Sequence, residues 1–178
     1  MKLGEAVTIR KKNTIDIEDD GVYRISGIQN YGKGVVVRRQ VYGSELKMKK
    51  YQVIECDQLM WCKVDTKNGA FGVTKQEHIG TLASGNMALA DVNTDVVDPK
   101  FLEVLFRNPA FADHITRLSS GTTNRKYLTP TDLLEQVEIP SLDISQQQEF
   151  IKKIEKLDSH SFTTQISNQK SLLEKLKQ

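Results

Sequence analysis

Short apolar runs broken by glycine fill the first half of the chain, and helical spacing replaces them in the second half. Alternating or β-branched runs bounded by turn residues predict strands. These predicted strands are Val22–Ser26, Gly34–Gln40, Lys50–Glu55, Leu59–Val64 and Phe71–Val73, with a loop or kinked strand over Leu82–Leu89. Asn68-Gly69 is the signal of a tight hairpin turn before Phe71. Residues 1–97 are therefore expected to form mainly strands and turns.

Helical signals begin at Asp98-Pro99, where aspartate caps and proline occupies the first turn. Apolar residues then recur on one face as far as Asn108. Pro109 opens a second short helix, and Thr129-Pro130 repeats the start signal for a third. Residues Val137–Ile139 are expected to return as a strand.

A long helix is predicted from Ser145, which forms a capping box with Gln148. Helical character continues to about Lys177, a length of about 50 Å. Two apolar stripes follow this helix and change register near Asp158–Ser161, which predicts a kink, a stutter or two helices. The stripes consist of Phe150, Ile154 and Leu157, and then of Phe162, Ile166, Leu173 and Leu176. Apolar stripes this narrow favour packing of the helix in a coiled coil with another molecule. Packing against a helix of the same chain is the alternative.

The composition is that of a folded domain with an appendage, since 38% of the 178 residues are hydrophobic and 27% are charged. No apolar run approaches the ~20 residues of a membrane span. The first residues lack the apolar core of a signal peptide, so a cytoplasmic location is the default.

Cys56 and Cys62 fit no zinc pattern, and the three histidines are scattered, so we predict no metal and no cofactor.

Positive charge is concentrated between Gly32 and Tyr51, although the net charge is only +2. Such a cluster attracts phosphates, or it forms a solvated sheet edge protected by lysines. Candidate base-reading residues lie on polar or glycine-rich turns: Tyr31, Lys33, Thr122, Asn124 and Arg125. Candidate phosphate contacts are Arg38, Arg39, Lys47, Lys49, Lys50, Lys67 and Lys126.

Catalytic patterns are weak. The sequence has no phosphate-binding glycine loop, nucleophile elbow or methyltransferase tetrapeptide. A metal-dependent nuclease remains an alternative, with Asp57, Asp65 and Lys67, or with Glu45, Lys47 and an acid from Asp16–Asp20. A second alternative is an interaction protein that uses only its long helix.

Eight short motifs follow one another along the chain: Lys2–Glu5, Gly21–Tyr23, Ile25–Gly27, Asp98–Leu102, Gly121–Thr123, Leu128–Leu134, Val137–Pro140 and Ser141–Gln148. In this order they resemble a target recognition domain in the specificity subunit of type I restriction–modification systems. Residues 38–87 match no motif of the family, as is expected if they hold the variable reading surface.

The resemblance implies a non-catalytic, α+β protein. Residues 1–143 would be a β-rich recognition domain of mixed or antiparallel sheets and several short helices, and residues 144–178 a coiled-coil-forming helix. A full subunit of the family resembles two such domains and two such helices, so this chain resembles half of one. Two copies would pair through the long helix and bind a bipartite inverted repeat in double-stranded DNA. The implied further partners are a methyltransferase subunit and, through it, a restriction subunit.

Overall fold

The computed structural model describes residues 1–9, 13–64, 68–118 and 129–175, and gives only the backbone for residues 112, 116 and 160–175. The strands of this part are β1 Val7–Thr8, β2 Thr14–Asp16, β3 Val22–Gln29, β4 Gly34–Tyr42, β5 Lys50–Val53, β6 Gln58–Cys62, β7 Phe71–Val73, β8 Leu82–Ala83 and β9 Met87–Val92. Its helices are α1 Leu3–Ala6, α2 Pro99–Arg107, α3 Pro109–Leu118, α4 Pro130–Gln136 and α5 Ile144–Lys175.

The strands form two sheets. One has the order β1-β9-β6-β7 and the other has the order β2-β5-β8-β3-β4. Every pairing is antiparallel except that of β3 with β8. The α+β class and the mixed or antiparallel character of the sheets are therefore confirmed.

The N-terminal residues differ from the prediction because α1 is a helix of four residues, too short to leave a periodic pattern. Its neighbours pair with the segment before α5. The backbone N–H of Leu3 donates to Val137 at 2.8 Å, and that of Ile139 donates to Met1 at 2.9 Å. The strand predicted over Val137–Ile139 is thus reduced to a single bridge, between Lys2 and Glu138.

The main core lies between the first sheet and helices α2, α3 and α4. Trp61 and Phe71 from the sheet and Phe101 from α2 are each at most 1% exposed. The Phe71 ring stacks on Phe106 of α2 with centroids 4.6 Å apart. Aromatic burial of this kind stabilises the attachment of α2 to the sheet.

The two short-helix caps are confirmed, and the cap of α5 is corrected. Asp98 accepts a hydrogen bond from the N–H of Lys100, and Thr129 accepts one from that of Asp132. The capping box of α5 is formed by Asp143 and Gln146, at 2.8 and 3.1 Å, and not by Ser145 and Gln148. The backbone stays helical through residues 158–161, so the helix is not divided there.

A buried histidine stabilises the turn that leads into β8. His78 is 2% exposed, and its Nδ1 accepts a hydrogen bond from the N–H of Lys75 at 2.8 Å. Burial lowers the pKa of His78, and the charges of Lys75 and Arg24 act in the same direction, while Glu77 opposes them. The hydrogen bond at Nδ1 requires that nitrogen to be unprotonated, so burial and this bond both favour the neutral ring.

We expect acid to destabilise the fold through His78. The unfolded state binds the proton more readily than the folded state does. The stabilisation from unprotonated His78 is therefore complete above the ordinary pKa of about 6.5, and it is lost as the pH falls through the lower pKa of the folded state. The slope is at most about 1.4 kcal/mol per pH unit for one group. Urea unfolding between about pH 5 and pH 7 measures it. His78→Asn, which keeps an acceptor near Nδ1, should flatten the slope, whereas an unchanged slope would assign the effect to other groups.

Candidate nucleic-acid interface

The turn that joins β3 to β4, residues 30–33, is called the hairpin tip here and carries two predicted base-reading residues. Tyr31 and Gly32 have φ values of +62° and +64°, so the chain reverses tightly. The Tyr31 side chain is 75% exposed, and Lys33 is exposed beside it. A projecting aromatic ring next to an ammonium group suits contact with bases and phosphates.

Backbone hydrogen bonds brace the hairpin tip against the turn before β7. The N–H of Tyr31 donates to the carbonyl of Asn68 and that of Gly32 donates to the carbonyl of Gly69, both at 2.8 Å. A Cβ on Gly32 would stand 2.6 Å from Cα of Arg107, so the tip also lies directly on the end of α2. Tyr31 is therefore presented from a supported turn.

Gly32→Ala should lower the free energy of unfolding by about 3 kcal/mol, because left-handed strain adds to the collision with α2. Gly80 provides a matched control. Its φ is +73°, but a Cβ there would meet nothing within 4 Å. Gly80→Ala should therefore cost only about 1 kcal/mol. Equal losses by chemical denaturation would mean that the contact with α2 contributes nothing.

A bulge explains why the consecutive residues Arg38 and Arg39 are both exposed on β4. Arg39 pairs with Ile25 and Val37 pairs with Ser26, which leaves Arg38 as the extra residue. Arg38 Nη2 donates to the carbonyl of Ile28 at 2.6 Å, and its side chain covers Gly27. The Arg39 side chain has no hydrogen bond or ion pair with any other described residue.

Two of the three lysines that follow β4 pair with carboxylates of β2 and of the turn after it instead of joining the hairpin tip. Lys49 binds Asp19 at 2.9 Å, and Lys50 lies 3.5 Å from Asp16. Lys47 is exposed and, among the described residues, has no ionic partner. The predicted basic cluster is therefore divided. Lys33 and Arg39 are the cations beside β4 whose side chains bind no other described residue, and they lie about 20 Å apart along an extended strand.

The remaining predicted DNA contacts lie outside the described residues. They are Lys67, Thr122, Asn124, Arg125 and Lys126. Lys67 directly precedes Asn68, whose carbonyl accepts the hydrogen bond from the tip.

The first apolar stripe of α5 faces both its own chain and solvent. The Phe150 ring packs edge-on against Phe101 of α2 at 5.7 Å and is still 38% exposed. Ile154 is half-buried, whereas Leu157 is 65% exposed. Of the second stripe, Phe162, Ile166 and Leu173 belong to the part of α5 described by its backbone alone, and Leu176 lies outside the described residues.

Two residues absent from the sequence predictions connect α5 to the domain. Arg107 at the end of α2 binds Asp158 with a distance of 3.0 Å between Nη2 and Oδ2. Gln147 is fully buried at the start of α5. One signal in the sequence points to Gln147: it is a polar residue at a position of the helical face where an apolar residue is expected to pack on the core.

Two observations on the described residues bear on the catalytic alternatives. They contain no group of three or more histidine, cysteine, aspartate or glutamate side chains able to hold a metal ion. Burial and the neighbouring Asp57 raise the pKa of the Cys56 thiol, which disfavours a reactive thiolate.

The first residue set of the nuclease alternative needs Asp65 and Lys67, which lie outside the described residues. In the second set, Glu45 accepts a hydrogen bond from the N–H of Tyr42 at 2.9 Å, and Asp16 and Asp19 pair with Lys50 and Lys49.

A cleft of about 320 Å³ between the sheets shares no residue with the hairpin tip. Its buried amides bind neighbouring groups of the chain: Gln52 donates to Met87 at 3.2 Å and Gln58 donates to Asp91 at 2.8 Å.

Among the described residues, no helix has the length and apolar character needed to cross a membrane.

Comparison with known proteins gives a likeness of structure. No protein-family model matches the sequence, and no curated protein matches it. The crystal structure of the HsdS subunit from Thermoanaerobacter tengcongensis matches 92% of the chain with a TM-score of 0.73 at 16% identity. A structure that concerns assembly and conformational transition of the type I R-M system matches 93% with a TM-score of 0.72, also at 16% identity.

The S subunit of a type I restriction-modification system from M. genitalium matches 89% of the chain, with a TM-score of 0.54 and 15% identity. The chain spans 43%, 43% and 38% of the length of these three solved chains. The resemblance predicted from the ordered motifs is thus confirmed at the level of structure. Over most of its length, this chain has the fold of the specificity subunits of type I restriction–modification systems.

Proposed function

We propose that this chain is a sequence-specific DNA-binding specificity subunit of a type I restriction–modification system and is itself non-catalytic. The observation that carries the proposal is the likeness to HsdS over 92% of the chain. A fold alone leaves function open, so the proposal also needs a surface on this chain that suits DNA.

The hairpin tip and the β4 edge supply that surface. Tyr31 projects from a braced turn, Lys33 follows it, and Arg39 stands exposed without an ionic partner in the described part of the chain. We assign Tyr31 to base contact and Lys33 and Arg39 to phosphates or base edges. The predicted loop contacts Thr122, Asn124, Arg125 and Lys126 belong to the same proposal.

Arg38, Lys49 and Lys50 contribute less to DNA affinity in this proposal. Arg38 is bonded to the backbone of β3, and Asp19 and Asp16 neutralise the two lysines. Lys47 and Lys67 are proposed as peripheral phosphate contacts.

Two copies of the chain are proposed to pair through α5 as a coiled coil. Leu157 is the apolar residue of the first stripe that is most open to a partner, at 65% exposure. The second stripe, Phe162, Ile166, Leu173 and Leu176, continues the seam in the sequence. Because a twofold dimer presents identical surfaces in inverted orientation, its DNA site is a bipartite inverted repeat.

The proposed dimer directs a methyltransferase subunit, and through it a restriction subunit, to that site. Methylome sequencing of cells that carry the chain with its methyltransferase tests this function. It should give one modified bipartite sequence that disappears when the gene for this chain is removed. Methylation that persists without the chain would contradict the proposal.

A further inference from the structure

Gln147 is a buried polar residue whose hydrogen bonds all serve the start of α5. The side chain is 0% exposed. Its Nε2 donates to the carbonyls of Val96 and Leu142, at 3.0 and 2.8 Å, and its Oε1 accepts from the N–H of Asp98 at 2.8 Å. Both amide hydrogens and the amide oxygen are therefore used.

Two of these bonds, to Val96 and Asp98, join α5 to the start of α2, and the third, to Leu142, holds the residues just before α5. Asp98 is the cap of α2, because its side chain accepts from the N–H of Lys100 at 2.8 Å. Val96 belongs to the segment between β9 and that cap. The Gln147 amide thus connects the first turn of α5 to the N-terminal cap of α2.

Other contacts continue along the same face of α5 at helical spacing. Phe150 packs against Phe101, Glu155 lies 3.9 Å from Lys100, and Asp158 binds Arg107 at 3.0 Å. The two ion pairs are exposed and contribute little to holding a single geometry. The Gln147 bonds are buried and directional, so they restrict the angle of the helix more strongly.

The length of α5 magnifies any change of that angle. The helix has 32 residues and is therefore about 48 Å long. A rotation of about 10° at its base would displace its far end by about 8 Å, which exceeds two base-pair steps of ~3.4 Å.

We propose that Gln147 is a positioning residue that fixes the direction of α5 relative to the recognition domain and so sets the spacing between the two DNA half-sites. The spacing part of this inference rests on the proposed function, whereas the direction of the helix does not. Two measurements therefore test the two parts separately.

The first measurement uses no DNA. Nitroxide labels at Ser44→Cys and Lys152→Cys, both exposed positions, report the distance between the domain and α5 in a Cys56→Ser background. Mixing with excess unlabelled chain isolates distances within one chain. Gln147→Met, similar in length but without the amide, should broaden a narrow distance distribution. Gln148→Met, an exposed neighbour on the same helix, should leave it unchanged.

Gln147→Asn is a second variant if the methionine variant does not fold, as judged by circular dichroism. It keeps the amide but is one methylene shorter, so it cannot reach all three partners and should broaden the distribution less than Gln147→Met does. A distribution as narrow as that of the wild type in a folded Gln147 variant would overturn the inference.

The second measurement is selection of binding sites from a random-sequence duplex library by the full chain with its methyltransferase. The wild type and Gln148→Met should enrich one spacer length. Gln147→Met should enrich the same half-sites with neighbouring spacers, and its discrimination between spacers should fall about tenfold. Unchanged spacer preference would overturn the inference about spacing. Failure of the wild type to enrich any bipartite site would count against the proposed function, and the label distances would still decide the role of Gln147.

Discussion

Replacing both Lys33 and Arg39 with glutamate is expected to lower the affinity for the recognised DNA sequence, as identified by the methylome, about a hundredfold. Each residue is exposed and, in the described part of the chain, without an ionic partner, so each is available to a phosphate or a base edge. Loss of two such contacts at about 1.4 kcal/mol each gives this change. The slope of log affinity against log salt should also become shallower by about 2. Fluorescence anisotropy with a labelled duplex over a range of salt concentrations measures both quantities.

Lys49 and Lys50 supply the matched control, because their reversal changes the formal charge by the same amount. Asp19 and Asp16 already neutralise these lysines, at 2.9 and 3.5 Å. Reversing them should lower affinity by no more than about threefold, since few counterions are displaced at that position. Equal losses in the two double variants would mean that net charge, and not the hairpin tip and the β4 edge, governs binding.

Truncating Phe101 to alanine is expected to produce the largest loss of stability from a residue of α2. Its ring is 1% exposed in the main core and also supports Phe150 of α5. Removal of a buried phenyl ring costs about 3–5 kcal/mol through lost burial and the cavity left behind. Denaturant unfolding measures the change, provided that the transition remains a single one.

Phe150→Ala removes the other ring of the same pair and isolates the effect of burial. Phe150 is 38% exposed, so its truncation should cost about 1 kcal/mol. If the two variants lost equal stability, α5 would be as much a part of the core as α2 is. The division expected from the sequence, into a domain of residues 1–143 and a helix of residues 144–178, would then be wrong.

Local chemistry in the sequence predicted much of the fold. Asp98 and Thr129 each precede a proline at a helix start, and both cap their helices as expected. The Asn68-Gly69 signal precedes β7, which pairs antiparallel with β6. The cap of α5 was misplaced because Asp143 and Ser145 both have a glutamine three residues later, and the pattern alone does not choose between them.

Contacts between distant residues were not predictable in the same way. Residues Tyr31 and Asn68 are in contact because two turns pack against each other. The local sequence of neither turn predicts this contact. The pairing of Lys49 with Asp19 depends on the return of β5 beside β2, which divides a basic run that looks continuous in sequence. Gln147 is buried only because residues 96–98 supply partners for its amide.

The symmetry of the modified DNA site tests the central proposal most directly. Methylome sequencing of cells that carry this chain and its methyltransferase reports the modified sequence, both half-sites and the spacer together. If two identical copies pair through α5, the two half-sites are the same sequence in inverted orientation, separated by one fixed spacer. A modified site with two different half-sites, or with a single undivided sequence, would contradict the account.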